Sequence, residues 1–466
     1  MASQPNMKQE KSMKQKYILV LSLATLLCFA YSCKETDPPY PDNKVNFSAT
    51  QLGLSETDLE KTFTVNLDYA ETSDVAVVVG MKANGVVFGT DFTVSPAVVN
   101  QAITLTIPAG KTSASIRVSK IAQFFEGSDT ITFTIQSVDG KSAYGPLVTG
   151  SKTSLSLSFS TIISNGATMT LQGGDGGVDA VNSVYVDFSA NEQTSAARQS
   201  WNLGLYSGAG FAVILNNTTA STAVEAKKQS IGVVVSKSDS LSYASQLAIG
   251  LGTGGLTVVG DFDGNLAKSV IQPGKVYIVN LGEGQLPLYK VQVSLKDVST
   301  YTVQYAKLNE SSVTSVDVPK VADHDFAYLS FASQKTVSVA PTKDKWDIEW
   351  TKSVYKTLNG PVTIPYIFSD FVFINQRNGT QVATVQTASI SFDKLKLSDM
   401  NGLRFSSSAT GIGDLWRSVF EGIINTHYYV VKDPAGNYYK LRFLKMGVNA
   451  DGGIRGYPEI EYAIIK

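Results

Sequence analysis

The sequence predicts an all-β protein: an N-terminal immunoglobulin-like sandwich followed by two joined β units that are related by an internal repeat. Three observations carry this. From residue 44 to about 160, short runs alternate polar and apolar residues with period 2 and are separated by turn residues. From 165 to 466, segments of the first half recur in order in the second. The composition, with 38 Gly, 21 Tyr, 21 Phe and only 17% charged residues, suits turn-rich sheets built from aromatic and β-branched strands.

Ahead of these regions lies an export signal. Lys14 and Lys16 precede an apolar run from Tyr17 to Ala30, and Ala30-Tyr31-Ser32-Cys33 ends it with a small residue before a cysteine. The run is shorter than the roughly 20 apolar residues that span a bilayer. Met13 is the expected start, since residues 1–12 are polar and add nothing to the signal. The cysteine at the cleavage point resembles the lipobox of bacterial lipoproteins, which implies a signal peptide over 1–32 and a lipidated Cys33 as the mature N-terminus. Residues 33–43, charged and proline-rich, form a solvated tether. The Lys and acidic residues directly after Cys33 resemble the signal that sends Gram-negative lipoproteins to the outer face of the outer membrane. The expected location is therefore the cell surface, with the membrane reached through a lipid anchor.

Loss of residues 1–32 removes four Lys and one Glu, leaving 35 basic and 39 acidic residues. That balance offers no basic surface for nucleic acid. Both cysteines, Cys28 and Cys33, lie in the signal region, so the mature body has no disulfide, thiolate nucleophile or cysteine metal site.

In residues 44–160, Thr62–Leu67, Ser113–Val118 and Asp129–Ile135 alternate cleanly, and the last puts Ile131, Phe133 and Ile135 on one face. Pro108-Ala109-Gly110-Lys111 and Asp139-Gly140 punctuate them as turns. Strands at this spacing suit an immunoglobulin-like sandwich. Asp91-Phe92-Thr93-Val94, the run Ile103 to Thr112 and Glu126 to Phe133 together resemble the Calx-β pattern. That resemblance implies calcium binding by acidic loop residues. Only Glu126, Asp129 and Asp91 match, and three carboxylates fall short of the six or more oxygens a hard cation takes. A spacer domain is the favoured reading.

The repeat sets Tyr185–Ala190, followed by Trp201-Asn202-Leu203-Gly204, against Tyr328–Ser333, followed by Trp346-Asp347-Ile348-Glu349. Leu288–Val293 parallels Tyr438–Phe443, and Val303–Ala306 parallels Ile460–Ala463. The expected units are 165–312 and 320–466. In the second, Thr426–Val431, the turn Asp433-Pro434-Ala435-Gly436 and Tyr438–Leu444 read as a hairpin.

The Trp346-Asp347-Ile348 strand, that hairpin and the closing strand Glu459-Ile460-Glu461-Tyr462 together resemble HmuY-type surface lipoproteins, best over 320–466 and more weakly over 165–310. The resemblance implies an all-β fold that holds haem between loops through two axial side chains, histidine or methionine. The mature chain offers His324, His427, Met81, Met169, Met400 and Met446. The interval where the family carries its ligands, about 351–425 here, holds Met400 alone. Met400 is thus the first candidate haem ligand, with Met446 or His427 second. His427 reads otherwise as a strand residue between tyrosines, and His324, in Asp323-His324-Asp325, as solvated. Trp416, Tyr366, Phe368 and Phe371 are candidate pocket walls, with core packing as the alternative.

Other motifs carry less. The string Gly250 to Gly255 satisfies G-x-G-x-x-G, but a strand pattern follows where a dinucleotide site needs a helix. Asp261-Phe262-Asp263-Gly264-Asn265 starts like a calcium loop, yet Gln272 stands where the closing Glu belongs, so a β-turn is expected. No G-x-S-x-G elbow accompanies the histidines, and catalysis is not expected. By resemblance the expected function is capture of haem or a related tetrapyrrole, with hand-over to an outer-membrane haem transporter; the rival reading is a glycan- or protein-binding surface lipoprotein with no haem activity, and a structural or adhesive role is the third.

Overall fold

The computed structural model describes residues 42–465, except 56–57, 123–124, 126–127, 144, 161–163, 251–254 and 283–286. The signal with Cys33, nearly all of the tether, Glu126 and the centre of the glycine string lie outside the described residues.

The N-terminal region is a two-sheet sandwich. Its strands are β1 (Asn43–Phe47), β2 (Gln51–Gly53), β3 (Glu60–Leu67), β4 (Val75–Asn84), β5 (Phe92–Ser95), β6 (Val98–Val99), β7 (Ala102–Ile107), β8 (Ser113–Lys120), β9 (Thr130–Asp139), β10 (Leu147–Thr149) and β11 (Ser154–Ser158). One sheet runs β10-β1-β3-β8-β5 and the other β2-β11-β9-β4-β7-β6. The period-2 alternation has the consequence read from it: Ile131, Phe133 and Ile135 all point inward. Phe63 of one sheet meets Phe133 of the other with ring centroids 4.9 Å apart. Asp91 is spent on its own loop, accepting from the Val87 N–H at 2.7 Å. Asp129 is buried. Among the described residues no group of three or more His, Cys, Asp or Glu side chains is placed to hold a metal ion.

The first repeat unit contributes β12 (Gly166–Thr170), β13 (Asn182–Asp187), β14 (Glu192–Ala197), β15 (Leu203–Tyr206), β16 (Val213–Leu215), β17 (Thr222–Glu225), β18 (Val276–Asn280), β19 (Tyr289–Asp297) and β20 (Thr300–Lys307). The second, counted from 314 rather than the expected 320 because β21 takes the sheet-edge place that β12 takes in the other half, contributes β21 (Thr314–Pro319), β22 (Phe326–Ser330), β23 (Lys335–Val337), β24 (Ile348–Asn359), β25 (Val362–Ile374), β26 (Gln381–Gln386), a small hairpin of β27 (Arg417–Ser418) and β28 (Gly422–Ile423), β29 (His427–Lys432), β30 (Tyr438–Lys445) and β31 (Glu459–Ile464). A helix, α1 (Lys237–Leu247), interrupts the first unit.

The two units are joined by reciprocal exchange of strands. Sheet β17-β18-β19-β20 of the first unit is completed by β21, and sheet β26-β29-β30-β31 of the second by β12. The middle sheets are mixed in the same way. Hairpin β13–β14 joins β24–β25, and hairpin β22–β23 joins β15–β16. Each unit therefore supplies three strands to sheets that otherwise belong to the other.

Four layers result. Val184, Val186, Phe188, Ile348 and Trp350 pack into one core with Tyr439, Leu441 and Ile460. Leu203, Leu205 and Leu329 pack into another with Val279, Val291 and Val303. The opposite faces of the two middle sheets meet through Tyr185, Trp201, Phe326 and Tyr328. Strands apolar on both faces mark sheets covered on both sides, and β13 and β22 are buried at nearly every position.

The repeated Trp-polar dipeptides tie the exchange. The Asn202 Oδ1 accepts from the Phe331 N–H at 2.7 Å, and the Asp347 Oδ2 accepts from the Phe188 N–H at 2.8 Å. Asn216 and Asn375 repeat a second lock: each donates through Nδ2 to the carbonyl of the nearby Trp, Trp201 at 2.8 Å and Trp346 at 2.9 Å.

The first unit's asparagine shows what the second unit's aspartate lacks. Burial, with the nearby Asp187 charge, pushes the Asp347 carboxyl up to about 8. Below the unfolded value near 4 the group is protonated in both states. As pH rises from there towards 8 the unfolded chain ionises first, so stability falls, and above 8 the loss is complete. Asp347→Asn keeps the acceptor and matches Asn202. It is expected to raise stability at pH 8 by on the order of 2 kcal/mol, a few degrees in Tm, and to change little at pH 4, as read by thermal melts at both pH values.

Candidate functional site

The space between the two middle sheets is not filled. A cavity of about 150 Å³ remains there, walled by Tyr185, Trp201, Tyr328, Trp346 and Glu349 and rimmed by polar loops. Its walls come from both units because the exchange sets β13 beside β24 and β15 beside β22. In β13, Tyr185 faces opposite to Val184 and Val186, and its cross-strand partner is Glu349. In β22, Tyr328 lies across from Gly204. A Cβ on Gly204 would stand 2.5 Å from Ile214 Cγ1, so the glycine lets the β16 side chain close over the strand.

The aromatics form two equivalent pairs, each with one ring from either unit. Trp201 meets Tyr328 edge-on at 4.8 Å and 73°, and Trp346 meets Tyr185 at 5.2 Å and 81°. Edge-to-face contacts of this kind hold rings at fixed angles and add to the gain from burial.

The rim is less symmetric. His324 and Asp325 open β22, and Asp261, Gly264 and Arg377 come from loops of both units. The Arg377 guanidinium donates to the Gly264 carbonyl at 2.9 Å and lies over the Phe326 ring, 5.3 Å from its centroid. Thus the turn Asp261 to Asn265, which starts like a calcium loop, serves as a clasp on the cavity. Asp263 is ion-paired with Lys268. Two shielded polar atoms have no hydrogen-bond partner here, Nδ1 of His324 and Oδ1 of Asn217. Buried polar atoms are normally paired, so such atoms beside a cavity are ready acceptors or donors for a ligand.

Burial dominates the electrostatics. It pushes Asp261 up to about 7 against the pull of Arg377, and it raises Asp325 against Arg377, Lys343 and His324. Burial likewise pushes Glu349 up to about 7, with the Ser183 and Tyr185 hydroxyls pulling back.

The residues singled out from sequence fall elsewhere. Met400 is buried in a cluster with Phe392, Leu395 and Tyr428. Met446 is fully buried in the main core. His427 shares a separate cleft of about 260 Å³ with Trp416. Its Nε2 is engaged with the Tyr429 hydroxyl at 3.0 Å, and burial lowers its pKa. Trp416 is core, stacked on Phe443 at 3.9 Å and donating Nε1–H to the Asp370 carbonyl at 2.9 Å. Tyr366, Phe368 and Phe371 form a ring series along β25. The structure thus brings His427 and Trp416 together at a cleft whose lining includes neither Met400 nor Met446, and it packs the two methionines into different cores. It also corrects the reading of His324 as solvated: the ring is half-buried at the cavity rim. Trp201, Tyr185, Tyr328 and Glu349 were missed as site residues. For Tyr185 and Tyr328 the available signal was their phase, opposite to the main-core residues, in strands buried at nearly every position.

Residues 322–462 match the family model described as HmuY protein. The second unit is HmuY-like. That stretch supplies Tyr328, Trp346, Glu349, His324 and Arg377, so the HmuY-like segment contributes to both walls of the cavity and the first unit completes each of them. Among solved structures, the Calx CBD1 domain is 14% identical, over 26% of this chain and 97% of that one, with a TM-score of 0.21. A Bacteroides ovatus protein provisionally described as carbohydrate-binding is 10% identical, over 71% of this chain and 97% of its own, with a TM-score of 0.17. A provisionally described lipoprotein of Bacteroides fragilis is 9% identical, over 64% and 90%, with a TM-score of 0.14. No curated protein matches the chain.

Glu349 gives the site a stability signature. With its folded pKa near 7 and an unfolded value near 4.5, it costs stability as pH rises between the two and adds no further loss above. Glu349→Gln is expected to raise Tm by a few degrees at pH 8 and to leave it unchanged at pH 4. Calorimetric melts at the two pH values check this.

Proposed function

We propose that the protein is a lipid-anchored surface protein that captures a small ligand in the cavity between its two units and binds it without chemical change. The observation that carries this reading is the cavity itself, with paired aromatic walls drawn from both units and the unpartnered His324 Nδ1 and Asn217 Oδ1 at its edge. Surface anchoring rests on the Cys33 signal and its tether. Among the described residues no helix is long and apolar enough to cross a membrane.

Haem capture, with transfer to an outer-membrane transporter, is the finer function that HmuY likeness implies. The residues of this chain fit it poorly. A haem needs a broad apolar slot and axial donors facing it, whereas drug-sized ligands already take pockets of roughly 300–1,000 Å³. Here the cavity is about 150 Å³, two methionines are packed into separate cores, and His427 is hydrogen-bonded elsewhere. The support left for haem is the unpartnered Nδ1 of His324. A small polar molecule, or one ring of a glycan, is the ligand class that the cavity suits.

Two titrations of the chain beginning at Asp42 separate these readings. Haemin is expected to give no saturable, sharpened Soret band; a sharp band that disappears in His324→Ala would establish haem instead. Tryptophan fluorescence should respond saturably to a ligand of the small polar class. Trp201→Ala is expected to weaken that response at least tenfold, since a central aromatic wall carries much of such binding.

A further inference from the structure

We propose that the captured ligand presents a positively charged nitrogen, an organic ammonium group that sits against Glu349 between the Trp201–Tyr328 and Trp346–Tyr185 pairs. This deepens the capture reading and rests on it.

The charges around the cavity are unevenly matched. Asp325 is opposed by Arg377, Lys343 and His324, and Asp261 by Arg377. Arg377 is itself fixed by the Gly264 carbonyl and the Phe326 ring. Among the described residues, Glu349 has only the hydroxyl groups of Ser183 and Tyr185 to ease its burial, with no cationic side chain acting on it. A carboxylate drawn out of water without a counter-charge is costly, and a cation supplied by a ligand would relieve that cost.

The walls have the matching chemistry. Ring faces attract cations through their quadrupoles, tryptophan most strongly, and cages of several aromatics suit quaternary ammonium groups. Two Trp and two Tyr line the cavity together with this acid. A volume of about 150 Å³ suits a compact head group better than an extended plate. The same ammonium chemistry could be offered by a choline-type head group or by an amino sugar.

The test uses the chain from Asp42 and paired probes at constant ionic strength. Choline is compared with 3,3-dimethylbutan-1-ol, its neutral isostere, and glucosamine with glucose, by tryptophan fluorescence and calorimetry. At least one cationic probe should saturate the protein at least tenfold more tightly than its neutral partner. Glu349→Gln should remove most of that preference while the folded state, checked by its melt, is retained. Trp346→Phe, which keeps an aromatic wall, should weaken binding less than Trp346→Ala. Preferential binding of choline points to a quaternary head group, and of glucosamine to an amino sugar. Equal binding of a cationic probe and its neutral partner, or a preference that survives in Glu349→Gln, would overturn the inference and leave the capture reading standing. Saturation by neither cationic probe would also overturn it. Silence of glucose and of other small polar ligands as well would remove the capture reading with it.

Discussion

A strand in the middle of a sheet must satisfy its backbone groups on both edges, and β13 and β22 do so only by crossing between units. Val184 to Val186 pair with Trp350 to Ile348, and Phe326 to Leu329 pair with Tyr206 to Leu203. Buried N–H and C=O groups left unpaired would each cost on the order of 1–3 kcal/mol. Neither unit can therefore close its own middle sheet without the other. The two ordered Trp-polar dipeptides reinforce the crossing, because Asn202 and Asp347 each receive the backbone N–H of the opposite unit just beyond the paired strand.

The cavity follows from that constraint. Pairing through β13 and β24 faces Tyr185 and Glu349 to the same side, and pairing through β15 and β22 faces Tyr328 over Gly204. When these two surfaces meet, aromatic side chains from both units interlock in two edge-on pairs and leave a space that side chains do not fill. The symmetry of the duplicated strands is broken at the rim. There His324, Asp325 and Arg377 belong to the second unit alone, and the Asp261 turn reaches in from the first. A duplicated frame with a single polarised mouth suits one ligand in one orientation.

Much of the frame was legible in local patterns. The hairpin β29–β30 shows its Asp433–Gly436 turn and alternation openly, and the repeat pairs Tyr185 with Tyr328 and Trp201 with Trp346 along the chain. What the repeat could not convey is that its copies pair with each other, since exchanged and separate units share one pattern. Helix α1 was also missed. Its core contacts are few, Tyr243 and Leu247 being buried, and its clearest mark was the Ser236 cap that accepts from the Asp239 N–H. The site was less legible still. The interval where the resemblance places haem ligands holds Met400, and both Met400 and Met446 are packing residues. His324 sits in a polar triplet that looks solvated, and only contacts distant in sequence shield its ring.

Reciprocal exchange is tested most directly by cutting the chain where the units join. A protease site placed between Ser311 and Ser312, in the exposed stretch before β21, would sever the backbone without removing a strand. The account predicts that the two fragments stay together through gel filtration and unfold in one transition. It also predicts that neither regains native structure when refolded alone. Fragments that separate under native conditions into two independently folded, separately melting units would contradict it.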